Sequence, residues 1–193
     1  MTAILALTLA ACSESEPESE ANVPAAATEE VEEAPAKGAT RETPYMPGET
    51  FEFGDWEISL GETDTDATQR IIDAQLEEYG DDEAYTTPPD EGHVYITVPV
   101  TATYKGADSD DPAFALSFAY VSADGNTFGD MILGVSIPND LSDAGELYAG
   151  ATGKGDVLQM VPREVAEGGV WRISENSIEP IAGDVYVAAS GGQ

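Results

Sequence analysis

The chain has 193 residues, 41% of them hydrophobic, which is enough to bury one core but not two. Its 38 Asp and Glu outnumber 7 Lys and Arg, so the formal net charge is −31 at pH 7. A charge of this sign and size makes binding to a phosphate backbone or to an anionic membrane surface unfavourable. We therefore expect one folded domain and no nucleic-acid partner.

The first twelve residues predict a lipoprotein signal. An apolar run over residues 3–11 ends in Leu9-Ala10-Ala11-Cys12, which resembles the bacterial lipobox, whose cysteine takes a diacylglycerol before cleavage. Cys12 is the only cysteine and can form no disulfide within the chain. The run is too short for a transmembrane helix, whereas two acyl chains give a stable anchor. We predict a signal peptide at 1–11, lipidation of Cys12 and a location on the outer face of a bacterial membrane; the alternative is a chance Ala-Ala-Cys.

Residues 12–44 predict a disordered acidic linker that begins at the lipidated cysteine. Between residues 13 and 44 the sequence carries nine Glu against one Lys and one Arg, with Pro, Ala and Ser between them and little that could be buried. The linker is either a spacer that holds the domain away from the membrane or a solvated leader without a selected length. The folded domain is predicted to span residues 45–193.

The first part of this domain predicts a strand or hairpin followed by a short helix. At residues 51–60 the apolar phase changes at Gly54-Asp55, which indicates either one kinked strand or a small hairpin. Residues 66–82 predict a short helix or an ordered loop near 67–80, which Asp66 could cap and Gly80 would end. Three side chains are expected to pack this segment against the sandwich: Ile72, Leu76 and Tyr79.

The most regular stretch, EGHVYITVPVTATY, lies at residues 91–104. Apolar and mostly polar side chains alternate after His93, and turn signals rich in Pro, Gly and Asp lie on both sides. This period of two predicts a core β-strand with one buried face. The face predicted to be buried holds Val94, Ile96, Val98, Val100 and Ala102.

The second half of the chain predicts further short strands. Residues 113–121 place Phe114, Leu116, Phe118 and Tyr120 on one face, and Asp124-Gly125 is the strongest hairpin signal in the chain. Strands are expected at 127–130, 131–137, 146–148, 157–161, 170–173 and 185–187, with a glycine-rich separator at 150–155. The pattern predicts an all-β, immunoglobulin-like sandwich of about seven to nine antiparallel strands.

The order of several landmarks resembles one family. They are a Pro-x-x-Gly-x-x-Tyr-x-x-Val approach to the central strand, an Asp-Gly hairpin, a Tyr-x-Gly-x-x-x-x-Gly turn and a Val-Pro strand end. Here they fall at Pro89, Gly92, Tyr95, Val98, Asp124, Gly125, Tyr148, Gly150, Gly155, Val161 and Pro162. Behind a lipobox and an acidic linker, this order resembles the telokin-like, immunoglobulin-like domain of secreted bacterial lipoproteins, a family of unknown function. The resemblance covers about residues 45–190 and implies a sandwich without a disulfide, displayed outside the cell, with no catalytic residue to transfer.

Side chains suited to catalysis are scarce. His93 is the only histidine, no G-x-S-x-G elbow is present, and Cys12 is assigned to the lipid, so no nucleophile has a base beside it. One histidine without a second cysteine leaves too few ligands for zinc. We predict that the protein is not an enzyme and that His93 is an exposed strand-end residue.

Calcium is the one cofactor for which candidate ligands are present. Hard cations bind clusters of carboxylate and carbonyl oxygens on loops, and acidic loops lie near residues 64–66, 81–91 and 108–111. The predicted calcium ligands are Asp81, Asp82, Asp108, Asp110 and Asp111. The alternative is a solvated acidic face that holds no ion.

Two functions are therefore open. The first is a lipid-anchored extracellular module, without catalysis, that binds a protein partner through its loops or sheet faces. The second is a calcium- or solute-binding surface protein, with or without enzymatic activity, that uses the acidic loops. A deep pocket with convergent polar groups would favour the second function, and a packed sandwich without a cavity would favour the first.

Overall fold

The computed structural model describes residues 35–80, 86–129, 134–177, 180 and 182–191. The predicted signal peptide, Cys12 and most of the predicted linker lie outside the described residues, as do Asp81 and Asp82. Part of the strand predicted at 131–137 lies outside them too.

The described residues form ten strands: β1 (Thr50–Phe53), β2 (Trp56–Leu60), β3 (His93–Tyr104), β4 (Ser109–Asp110), β5 (Leu116–Val121), β6 (Thr127–Phe128), β7 (Leu147–Tyr148), β8 (Thr152–Pro162), β9 (Val170–Glu175) and β10 (Val185–Ala188). Two four-stranded sheets have the orders β1-β2-β3-β8 and β10-β9-β5-β6, and β4 pairs with β7. All these pairs are antiparallel, which confirms the predicted all-β sandwich. The strand number exceeds the prediction by one, and β4 is the strand that lies where none was expected, because two residues are too few for a hydrophobic pattern.

Short helices connect the strands. The described residues contain α1 (Thr68–Tyr79), the single turn α2 (Pro112–Ala115) and two 3₁₀ turns, Leu141–Ala144 and Arg163–Val165. No helix in this part of the chain has both the length and the apolar character needed to cross a bilayer.

One hydrophobic cluster joins the two sheets. Its buried side chains come from β1, β2, β3 and β8 on one side and from β5, β9 and β10 on the other. The change of phase at Gly54-Asp55 is the turn of a hairpin, in which Phe53 pairs with Trp56 and Gly54 has a φ of 55°. The hairpin therefore brings the apolar residues of both strands into the same core.

Strand β3 is buried on both faces along its first half, whereas the sequence predicted one buried face. Tyr95 and Thr97, on the face predicted to be polar, are only 1% and 2% exposed. Tyr95 joins Ala67, Ile71 and Ile137 in a second hydrophobic cluster, which α1 covers. The helix therefore makes a third layer over this part of the first sheet.

The face of α1 that is buried lies one position earlier in the sequence than the predicted face. Ile71 and Gln75 are 0% and 1% exposed, whereas Leu76 and Tyr79 lie at the surface. Gln75 is buried because its amide donates to the Ser136 carbonyl and accepts from the Thr87 N–H. The periodicity of apolar residues cannot predict that an amide side chain is buried. Ala67, not Asp66, is the N-cap residue, and Gly80 ends the helix as predicted.

The glycine-rich segment separates β7 from β8 only as far as Ala151, whereas the prediction extended the separator to Gly155. Strand β8 begins at Thr152 and pairs with β3 from there on. A Cβ on Gly155 would collide with the backbone of Leu141, and one on Gly153 would press against Leu147. These two glycines therefore allow close packing within a strand and do not mark a turn.

Described residues that precede Tyr45 also contact the sandwich. The Tyr186 N–H donates to the Gly38 carbonyl, and the Tyr45 N–H donates to the Tyr186 carbonyl, both at 2.9 Å. The Tyr45 ring stacks on Phe51 with centroids 4.7 Å apart. The segment from Gly38 to Tyr45 is thus held against β10.

Candidate binding surface

The sandwich has two ends, which the register of β5 and β9 defines. Leu116 pairs with Glu175 at one end of this strand pair, and Val121 pairs with Val170 at the other. Arg41 and Glu42, near the start of the described residues, line a hollow with residues 121–123 and 168–170. We call this the Arg41 end, and we call the end with Leu116 and Glu175 the Phe114 end.

Phe114 is the most exposed aromatic side chain of the described residues, with 72% of its surface in solvent. The sequence predicted that it would share a strand face with Leu116, but it lies in α2. Asp111 caps this turn by accepting from the Ala113 N–H at 2.9 Å, and Pro112 is its first residue. An acidic cap followed by proline starts helical geometry, which ends the alternation expected of a strand. That Asp-Pro pair is the signal that could have predicted the exposure of Phe114.

Two adjoining clefts share Phe114, Leu116 and Asn176. The larger cleft, about 460 Å³, lies between β5 and β8 and has a mainly apolar lining. The smaller cleft, about 350 Å³, has an acidic rim. The side chains that give the larger cleft its apolar character include Phe118, Leu141, Val157 and Leu158. The acids of the smaller cleft are Asp55, Asp110 and Glu175.

Polar groups that line the larger cleft already have partners within the protein. The Gln159 amide donates to the Phe118 carbonyl at 3.1 Å, and Asp140 accepts from the Ser142 N–H at 2.8 Å. Asn176 donates to the Phe114 carbonyl at 3.0 Å, which fixes the backbone of α2. These groups shape the cleft more than they offer free hydrogen bonds to a solute.

Asp156, which lines the larger cleft together with Asp140, faces Arg70 of α1. The guanidinium Nη1 lies 3.6 Å from the Asp156 carboxylate, Nε lies 3.4 Å from Asp64, and Nη2 donates to the Thr97 hydroxyl at 2.7 Å. Burial raises the pKa of Asp156; Arg70 opposes the rise, whereas Asp64 adds to it. The arrangement ties α1 to β3 and β8 and is a structural contact.

The predicted calcium ligands have different positions in the structure. Asp111 caps α2, and Asp110 accepts from the Asp111 N–H at 2.9 Å, so both carboxylates bind local backbone groups. Asp108 and Asp110 lie near the Tyr104 phenol, whose pKa is raised first by burial and then by the acids around it. Among the described residues, no three His, Cys, Asp or Glu side chains form a group that could hold a metal ion. Asp81 and Asp82 lie outside these residues, so a site there stays a prediction.

Aromatic side chains near the Arg41 end are buried and hydrogen-bonded. The Tyr120 hydroxyl donates to the Val165 carbonyl at 3.0 Å and accepts from the Gly169 N–H at 3.1 Å. The Trp171 indole N–H donates to the Thr63 hydroxyl at 2.8 Å. Burial raises the pKa of Tyr120, consistent with a phenol that stays neutral inside the fold.

His93 is the first residue of β3, as predicted, but it is half-buried and not exposed. Its ring Nδ1 lies 3.2 Å from the Glu91 carbonyl. The contact is local to the turn that leads into the strand.

No protein-family model matches the sequence, and no curated protein matches it either. Several solved structures are similar at low identity. An uncharacterized β-sandwich protein from Clostridium difficile 630 is 15% identical with a TM-score of 0.44; the match covers 75% of this chain and 93% of that one. A conserved hypothetical protein from Bacillus anthracis is 14% identical with a TM-score of 0.39, covering 72% and 94%.

A candidate lipoprotein from Bacillus subtilis is 13% identical with a TM-score of 0.44, and the match covers 74% of this chain. This chain spans 38% of the length of that protein. Identities and TM-scores this low carry no argument about the function of this chain.

Proposed function

We propose that this chain is a lipid-anchored extracellular protein of a bacterium, and that its β-sandwich is an immunoglobulin-like, telokin-like binding module without catalysis. The sequence supports the anchor through Leu9-Ala10-Ala11-Cys12 and through the acidic segment that follows. A lipid on Cys12 would hold the chain at the outer face of the membrane.

The arrangement of the two ends is the observation that carries this proposal. Arg41, near the start of the described residues, lies beside residues 121–123, whereas Phe114 and the two clefts lie at the opposite end of β5. A module tethered through its N-terminal segment at the Arg41 end would have its Phe114 end free to face a partner. Exposed aromatic side chains are enriched where proteins bind one another.

Solute binding is the second candidate function, and the volume of the larger cleft favours it. A cleft of about 460 Å³ is within the usual range for small-molecule sites. The polar groups of that cleft, however, are engaged with the protein itself, as Gln159 and Asn176 show. We therefore place a polypeptide partner ahead of a small solute.

The anchor is tested by mass spectrometry and cell fractionation of the full chain and its Cys12→Ser variant. We expect a mature native chain that begins at a diacylglyceryl cysteine and sediments with membranes, and a variant that is not lipidated. External protease should digest the anchored protein on intact cells once any outer barrier is opened. A soluble native product that retains residues 1–11 would contradict the proposal; Ser13→Ala serves as the control for substitution at this site.

Calcium binding is tested by thermal unfolding of the full chain in chelator, in calcium and in sodium chloride of equal ionic strength. An ion at about a hundred times its dissociation constant adds about 2.7 kcal/mol to the free energy of unfolding. If the acids form a solvated face that holds no ion, calcium and sodium chloride should change the thermal stability equally. A shift specific to calcium would favour the alternative function and direct attention to Asp81 and Asp82.

A further inference from the structure

We propose that the Phe114 end binds a cationic polypeptide segment, with Lys or Arg side chains against Asp55 and Asp110 and an apolar side chain against the Phe114 ring. This deepens the proposed function and rests on it for the display of this end away from the membrane. The contact itself requires only the folded sandwich.

The apolar part of the surface is built and held in place. The Phe114 ring is 72% exposed, yet its backbone is fixed because its N–H donates to the Asp111 carbonyl and its carbonyl accepts from Asn176. Tyr148, 66% exposed, lies on β7, which pairs with β4 just before α2. An aromatic side chain on a fixed backbone has only two side-chain torsions to order on binding, which suits it as an interface anchor.

Among the described residues, no Lys or Arg forms an ion pair with Asp55, Asp108 or Asp110. All seven Lys and Arg lie within the described residues, and six of them form ion pairs with acids other than Asp55, Asp108 and Asp110. Lys105, the cation next to this surface, is paired with Glu57 at 3.3 Å. Within the described part of the chain, Asp55 and Asp110 of the smaller cleft therefore carry negative charge that no ion pair neutralises, and this charge attracts a cationic segment.

Charge also selects among other occupants. A second copy of this chain would bring another net charge of −31 to an acidic surface, so self-association there is opposed. A neutral sugar could stack on Phe114, but it would have no charge–charge attraction to Asp55 and Asp110, so salt would not weaken its binding. A cationic segment with one apolar residue uses both features at once.

The test is a titration of two labelled peptides with the full chain carrying Cys12→Ser, which prevents lipidation. One probe alternates lysine with leucine, and the other replaces each leucine by serine at the same charge. By fluorescence anisotropy we expect the leucine probe to bind about tenfold more tightly than the serine probe. Raising sodium chloride from about 20 mM to about 500 mM should weaken the binding of both by about tenfold or more.

Substitutions separate the two parts of the surface. Phe114→Ser should weaken the leucine probe by about tenfold and change the serine probe by less than about twofold. Asp55→Asn with Asp110→Asn should weaken both probes by about tenfold. The matched control removes the same charge from the exposed side of α1, as Glu77→Gln with Glu78→Gln, and should cost less than about twofold. Circular dichroism verifies that each variant is folded.

Four results would overturn the inference. They are the absence of saturable binding of the leucine probe up to about 1 mM, an equal loss in the α1 control, no effect of Phe114→Ser, and binding that salt does not change. Sedimentation that shows a dimer broken by Phe114→Ser would assign the surface to a second copy instead. Lipidation of Cys12 is measured separately, so a failure of the anchor leaves these affinities unaffected, and a failure of the peptide leaves the anchor intact.

Discussion

The two ends of the sandwich differ in that aromatic side chains reach the surface at the Phe114 end. Near the Arg41 end, Tyr120 and Trp171 are fully buried and contact each other edge to face, with ring centroids 5.7 Å apart. At the Phe114 end, Phe114 and Tyr148 are mostly in solvent. The difference shows that aromatic residues a few positions apart along the same chain can serve stability at one end and accessibility at the other.

The cause is the local backbone. Tyr120 lies within β5 and faces the core because strand alternation directs it there, and both of its hydrogen bonds are satisfied. Phe114 precedes β5 by two residues and belongs to the turn that Asp111 and Pro112 begin. That turn takes the ring out of the alternation of the strand and places it on the surface.

The largest difference between the ends is expected for Trp171→Ala. Removing a side chain that is 0% exposed at the centre of the core should lower the free energy of unfolding by about 3–5 kcal/mol, because it leaves a cavity and unpairs the Thr63 hydroxyl. Denaturant unfolding measures the loss, and Tyr148→Ala at the Phe114 end is the control. Equal losses in the two variants would remove the contrast between the ends.

Much of this fold could be predicted from the sequence, because repeated local signals agreed with one another. The alternation after His93 located the central strand, and Gly54-Asp55 and Asp124-Gly125 located two hairpins. These signals are properties of neighbouring residues. The sandwich follows from them because amphipathic strands must bury their apolar faces against each other.

What could not be predicted depends on contacts between distant segments. Gln75 is buried because Thr87 and Ser136 satisfy its amide, and Gly155 lies in a strand because Leu141 approaches its backbone. Neither partner is close in sequence. The candidate surface was missed for a local reason: the strand was predicted to begin at residue 113, although Asp111-Pro112 just before it is a signal for a helical turn.

The next effect in size is expected for Tyr120→Phe. The variant keeps the ring but removes the hydroxyl, so the buried Gly169 N–H loses its acceptor and the Val165 carbonyl loses its donor. We expect a loss of about 1–3 kcal/mol in the free energy of unfolding, measured by urea denaturation. Tyr148→Phe, which changes the same atom on an exposed ring, should be neutral. A neutral Tyr120→Phe would show that the stability of the Arg41 end does not depend on these two hydrogen bonds.

A smaller effect is expected from acid, through Asp66 and Arg163 on the same side of the fold as Tyr120. Arg163 donates to the Asp66 carboxylate at 2.6 Å and lowers the pKa of that carboxyl from its usual value of 3.8. A lowered pKa means that the folded state favours the charged form. The stabilisation is therefore present above pH 3.8 and is lost as the pH falls through the lower pKa of the folded protein.

Both partners are largely exposed, so this contribution is at most about 1 kcal/mol. Arg163→Gln should remove that part of the acid sensitivity, which unfolding curves between about pH 5 and pH 2 would reveal. Lys154→Gln makes the same change of charge at an exposed lysine that forms no ion pair among the described residues. Identical pH profiles of the two variants would assign the effect to net charge and not to the Asp66 contact.

The smallest effect on stability is expected where the effect on binding should be largest. Phe114→Ala removes a ring that is 72% exposed, so the free energy of unfolding should change by no more than about 0.5 kcal/mol. Phe118→Ala, four residues along and only 7% exposed, should instead cost about 3–5 kcal/mol. Denaturant unfolding of the two variants compares the same chemical change inside and outside the core.

If Phe114→Ala proved as costly as Phe118→Ala, the Phe114 ring would be part of the packed core and could not serve as an anchor for a partner. A neutral Phe114→Ala that still weakened the lysine–leucine probe would show that this ring is held at the surface for binding, at the end of the fold where stability does not require it.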